Sequence, residues 1–185
     1  MNWSRIVFRA VSAVLLISVS AAILGEENAG KAESLTAVDP VTKRKLGTPS
    51  KIEQNLLKYT NLARKKHDKQ PLTEVSHLTV IAQRHAINMA RQEKMTHLLD
   101  GESVVDRLKG VSYRYQTFGE NISAGYPNEK ATVEGWLSSS GHKANLLDEK
   151  NLGFTQIGIG AHRSANGRWY CCQVFARPVP GQQYD

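Results

Sequence analysis

Cysteine is nearly absent from this 185-residue chain: there are two, Cys171 and Cys172, side by side near the C-terminus. That excludes a disulfide framework, so any folded domain must be held by its core, and the chain is long enough to bury one. Neighbouring residues on a strand point to opposite faces, which places these two thiols badly for joining. Two reduced strand residues, one exposed thiol, a strained vicinal disulfide and an intermolecular bridge all stay open. No apolar run reaches the ~20 residues that span a bilayer as a helix. The longest, residues 10–24, has 15. No internal repeat is visible, and no basic stripe interleaved with aromatics, which argues against nucleic acid as a partner. No Gly-x-Ser-x-Gly elbow surrounds Ser138, Ser139 and Ser140, so they read as a helix-end cluster and not as a nucleophile.

What is present begins with the N-terminus. Arg5 and Arg9 precede the apolar run, and Gly25 and the acidic pair Glu26 and Glu27 follow it. A basic start, a short apolar stretch and small residues before a polar segment describe a secretory signal peptide, residues 1–25, with an uncleaved anchor as the alternative. No stable transmembrane anchor is expected, and the protein is placed outside the cytoplasm, in the periplasm, cell envelope or medium. No cysteine follows the run, so a lipid-modified N-terminus is not expected. The net charge of +7 falls to +5 once residues 1–25, with two arginines and no acids, are set aside. Lysines and arginines cluster briefly with acids between them, a solvated surface with some attraction for anionic polymers or membranes. Residues 26–49 have no sustained period and read as a flexible linker, whose basic residues offer a route to envelope attachment.

The domain proper is expected over residues 50–178, with a tail at 179–185. Ser50 and Glu53 make a capping box for a first helix, where Ile52, Leu56, Tyr59 and Ala63 recur at helical spacing. A second helix is expected over 78–94, a third over 104–109 ending at Gly110, and a fourth from Asn128 that breaks at Gly141. Residues 154–162 and 168–176 are strand-like, and Asn166-Gly167 between them is a strong hairpin signal. In the second of these strands Trp169, Cys171, Gln173 and Phe175 face one way, and Tyr170, Cys172, Val174 and Ala176 the other. Both sides are mostly apolar, so helices should cover both faces. The fold class expected is α/β, a three-layer α-β-α sandwich with a small antiparallel sheet.

Six histidines must be sorted. His67 and His77 read as surface residues, His85 as a hydrogen-bonded core residue, and His162 as a solvated strand end. His97 and His142 stand just past helices, where a side chain can face a cleft. Between them Glu120 lies amid apolar and small residues. Burying an unpaired carboxylate costs several kcal/mol or shifts its pKa, so Glu120 needs a partner. Two imidazoles and a carboxylate supply three corners of a tetrahedral zinc site, although no close His-x-x-x-His spacing fixes the geometry.

Residues 52–178 resemble the SCP/CAP superfamily of cysteine-rich secretory, antigen-5 and pathogenesis-related proteins, in particular its short bacterial-type members. The resemblance is carried by Thr60-Asn61-Leu62-Ala63-Arg64, the run Ala82 to Met89, Met95-Thr96-His97, Asp106-Arg107-Leu108, Gly119-Glu120-Asn121-Ile122, the run Gly135 to Leu147, Gln156-Ile157-Gly158-Ile159-Gly160, and Gln173-Val174-Phe175-Ala176. It implies an α-β-α sandwich with a cleft of His97, Glu120 and His142. In several members the two histidines hold a divalent metal, so His97 and His142 become candidate ligands for zinc, less so calcium, and Glu120 a candidate catalytic residue. The family's second cleft glutamate falls on Ser139, and Glu134 points elsewhere. The reading that follows is a monomeric secreted module binding a lipid, glycan or protein; the alternative is a metal-assisted hydrolase of peptides or envelope polymers.

Overall fold

A computed structural model describes residues 38–39 and 44–184; the expected signal peptide and most of the expected linker lie outside them. The elements are α1 (Lys51–Lys66), β1 (Thr73–Glu74), α2 (Ser76–Gln92), α3 (Val104–Gly110), β2 (Tyr115–Ala124), α4 (Glu129–Ser138), α5 (Ser140–Leu146), β3 (Gln156–Arg163) and β4 (Trp169–Pro178). The strands form one sheet in the order β1-β3-β4-β2. β3 and β4 pair antiparallel across the Asn166-Gly167 turn, and β2 pairs antiparallel with β4. β1 pairs parallel with β3 over two residues, so the sheet is mixed and not wholly antiparallel.

The two faces of β4 organise the layers. Tyr170, Cys172, Val174 and Ala176 pack with α2 and α3, whereas Cys171 and Phe175 pack with α1, α4 and α5. Both faces are covered, as the alternation in the sequence implied. On β3 the division is sharper: Ile157, Ile159 and Ala161 face the α1/α4/α5 core, and glycines occupy the other side. A Cβ at Gly158 would sit 2.0 Å from the backbone carbon of Leu78, and one at Gly160 2.1 Å from the carbonyl oxygen of Ala82. The α2 backbone therefore rests directly on β3, a separation that admits only glycine.

Helix α1 begins as expected, with Ser50 and Glu53 exchanging hydrogen bonds. Glu53 does more than cap. It is fully buried and accepts from Arg44 at 2.5 and 3.2 Å, from Gln83 at 3.1 Å and from the Ala161 amide of β3 at 3.0 Å. Gln83 also accepts from the Gly47 amide and donates to the Thr48 carbonyl, and Leu46 is buried in the α2 core. The end of the segment read as linker is thus part of the folded domain. Its Asp39 is buried beside His162, their side chains 3.6 Å apart. His162 is accordingly buried too, not solvated. At the other end Tyr184 of the expected tail stacks on Tyr113, with ring centroids 4.2 Å apart.

One more expectation changes in detail. The fourth helix is two, α4 and α5, which meet at Ser139 in an extended conformation. Gly141 lies inside α5 and does not end it. Both cysteines are free and buried. Burial pushes the Cys171 thiol up to about 12 and that of Cys172 well above its usual value.

Candidate functional site

β2 was not legible as a strand, yet it carries Glu120 at the centre of the site. Phe118 and Ile122 on its α2/α3 face are core residues, and alternation puts Glu120 between them. The carboxylate is 1% exposed. Its Oε1 accepts from His97 Nδ1 at 2.8 Å. Its Oε2 accepts from Arg107 Nη2 on α3, and the Cys172 thiol of β4 lies 3.6 Å from the same oxygen. Burial alone would raise the Glu120 pKa, but the His97 hydrogen bond and the charge of Arg107 outweigh it and hold the group below its usual value. An ionised Glu120 only accepts hydrogen bonds, so His97 donates through Nδ1–H and a neutral ring carries its lone pair on Nε2.

The other predicted site residues come from the α4/α5 region. His142 sits in the first turn of α5 and is buried. Asn121, next to Glu120, donates to the His142 carbonyl at 3.0 Å. Asn145, one turn on, donates to the Glu120 carbonyl at 3.2 Å and to Asn121 Oδ1 at 3.1 Å. These amides fasten α5 to the edge strand β2. A Cβ at Gly119 would press on Asn145 Oδ1 at 3.0 Å, so the glycine keeps that contact open. Ser139 stands at the α4/α5 junction, half-buried, and its side chain does not cap α5. Glu134 is exposed and pairs with Lys130 at 3.7 Å. Leu98, next to His97 in the chain, is 59% exposed. A separate recess of about 70 Å³, lined in part by Ile52, Tyr126, Thr132, Trp169 and Cys171, includes none of the cleft side chains.

Arg107 was missed by the sequence reading, though a signal existed. Val104, Arg107 and Leu108 share the buried side of α3, and a cation on an apolar stripe implies a buried acid to meet it. The three-donor set with Glu120 added to the candidate ligands His97 and His142 does not form: among the described residues no three His, Cys, Asp or Glu side chains are grouped to hold an ion. Both oxygens of Glu120 are already bonded, so the residues present do not fit a histidine–histidine–carboxylate metal site.

His85 is the hydrogen-bonded core residue expected, its Nε2–H donating to the Thr96 carbonyl at 2.9 Å next to His97. Burial, with Arg107 adding to it and Glu120 opposing, lowers its pKa to about 4. A histidine neutral in the fold and free to protonate when unfolded contributes stability in full above pH 6.5 that drains away as pH falls towards 4. The loss amounts to about 3 kcal/mol, or a melting point lower by about 10 °C. His85→Gln, which can still donate to Thr96, should flatten that part of the melting-point profile; an unchanged profile would refute the assignment.

A mixed four-stranded sheet between two helical layers, with a histidine–glutamate pair at its edge strand, defines an α-β-α sandwich with a polar cleft. Residues 57–175 match the family described as CAP: Cysteine-rich secretory protein family, and the chain belongs to it. Two curated relatives come from Bacillus subtilis (strain 168). The uncharacterized membrane protein YlbC is 34% identical over 128 residues, covering 69% of this chain and 36% of the relative. The uncharacterized protein YkwD is 30% identical over 142 residues, covering 72% and 54%. The chain thus spans about a third and about half of their lengths. Among solved structures, an extracellular protein containing a SCP domain from Bacillus anthracis str. Ames aligns with TM-score 0.59 at 29% identity, over 68% of this chain and 40% of the other. An outer surface protein from Borrelia burgdorferi aligns with TM-score 0.63 at 21% identity, over 71% and 96%, which speaks to the fold alone. Among the described residues no helix is long and apolar enough to cross a membrane.

Proposed function

We propose that this chain is an extracytoplasmic binding module whose cleft presents a fixed polar floor, His97 held by Glu120 and Arg107, beside the exposed Leu98. The observation that carries the reading is the commitment of Glu120. A general base must reach the proton it removes, and this carboxylate is buried with both oxygens bonded to His97 and Arg107. Ser139 supplies no second carboxylate. A rigid donor–acceptor surface next to an apolar side chain suits a ligand with both polar and apolar parts: a lipid, a glycan or a protein segment. Placement outside the cytoplasm rests on the N-terminal pattern, with support from the extracellular relative of Bacillus anthracis.

The test is a pair of measurements on the purified protein. Lipid and glycan arrays should give a ligand whose affinity falls at least about tenfold in Leu98→Asp, as expected for loss of an apolar contact in a recognition site. Peptide and ester panels should give no turnover that depends on the cleft. Chelator-sensitive hydrolysis abolished by His142→Ala would overturn the reading in favour of a metal-assisted hydrolase.

A further inference from the structure

Arg107 is 4% exposed, and acceptors from two stretches of chain hold it. Nη2 donates to Glu120 on β2, while Nη1 donates to the carbonyls of His97 at 3.4 Å and Glu102 at 3.2 Å in the loop between α2 and α3. Swinging the guanidinium away would strand those acceptors, and it cannot shed its charge by losing a proton. The charge of Glu120 is therefore matched within the protein. Its remaining neighbour, Cys172, is kept as a thiol by burial and so adds no second anion. The two histidines are delivered by different elements, His97 by the loop after α2 and His142 by α5. A divalent ion between them would gain no carboxylate and would face a fixed positive charge.

We propose that Arg107 is a built-in replacement for a metal ion in this cleft, its guanidinium supplying beside Glu120 the positive charge that a bound cation would otherwise supply. The cleft is metal-independent for that reason, whatever ligand it takes. Relatives with an arginine at the position of Arg107 should share the property.

Zinc and calcium titrations of the purified protein by calorimetry, with melting curves in chelator and in excess zinc, test this. The wild type should give no saturable heat at micromolar metal and an unmoved melting point. Arg107→Met removes the fixed cation and leaves the charge of Glu120, behind His97, unmatched, and should bind zinc at least about tenfold more tightly than the wild type, the scale by which neighbours of a ligand tune affinity. That gain should vanish when His97→Ala is added. Arg107→Lys keeps the charge and should behave as the wild type does. Micromolar zinc binding by the wild type, lost in His97→Ala with His142→Ala, overturns the proposal. So does a folded Arg107→Met that binds no more zinc than the wild type. Should Arg107→Met not fold, the wild-type titration and Arg107→Lys still decide: metal binding gained by the lysine variant would show that charge is not what excludes the ion.

Discussion

Gly160→Ala and Gly158→Ala should each cost more than about 3 kcal/mol, a large part of the roughly 5–15 kcal/mol that keeps a domain folded. A methyl group at either position would overlap the backbone of α2, at 2.1 Å from the Ala82 oxygen and 2.0 Å from the Leu78 carbon. A side chain in the way can change rotamer, but a helix backbone must move as a body. α2 also carries Leu78, Ile81, Ala86 and Met89 into the core and His85 to the edge of the cleft. Shifting it would disturb the packing on one whole face of the sheet. Urea denaturation gives the measurement, with Gly101→Ala as the control. Gly101 has no atom within 4 Å of an added Cβ but a φ of +78°, so it should lose only backbone strain, about 1 kcal/mol. A wild-type midpoint for Gly160→Ala would mean that α2 does not sit on β3 at this distance.

The second large effect is expected at Glu53. Its two oxygens accept from Arg44, the Ser50 amide, Gln83 and the Ala161 amide, all donors. Glu53→Gln keeps the shape but turns an NH2 group towards some of those donors and removes the charge that Arg44 meets. Breaking a buried pair while leaving its donors unsatisfied costs about 3–5 kcal/mol. Arg44→Met should cost less, because Arg44 is partly exposed, at 23% of its side chain, and Glu53 keeps three neutral donors, although the buried carboxylate loses the charge of Arg44. Near-equal losses from the two variants in urea would show that the ion pair, and not the set of donors around the carboxylate, carries the stability.

The sequence showed α1, α3 and the Asn166-Gly167 hairpin because each depends on neighbours in the chain: a capping box, a short stripe ended by glycine, a turn dipeptide. β4 was readable because its alternation places apolar residues on both sides. β2 was not, since Gly119, Glu120 and Asn121 interrupt any period-2 apolar pattern. Their polar groups are satisfied by α3, α5 and the loop after α2, none of it visible locally. The break between α4 and α5 was placed at Gly141, where glycine suggested it, but the chain turns at Ser139. His162 was taken as solvated because the residue that covers it, Asp39, is distant in sequence. That His97, Glu120 and His142 share a cleft was suggested by their settings in the chain and implied by the family resemblance, but the direct His97–Glu120 hydrogen bond was not foreseen. Arg107 was within reach, because a buried acid calls for a cation and α3 has one on its apolar side.

The alternation of β4 also bears on how this domain comes apart. Tyr170, Cys172, Val174 and Ala176 belong to one apolar cluster, and Cys171 and Phe175 to the other. Neither layer can release its half of this strand without pulling the other half out of register. The two clusters are therefore obliged to melt together, and a denaturation curve should show one transition, with the cleft lost at the same moment as the helices on the far side of the sheet.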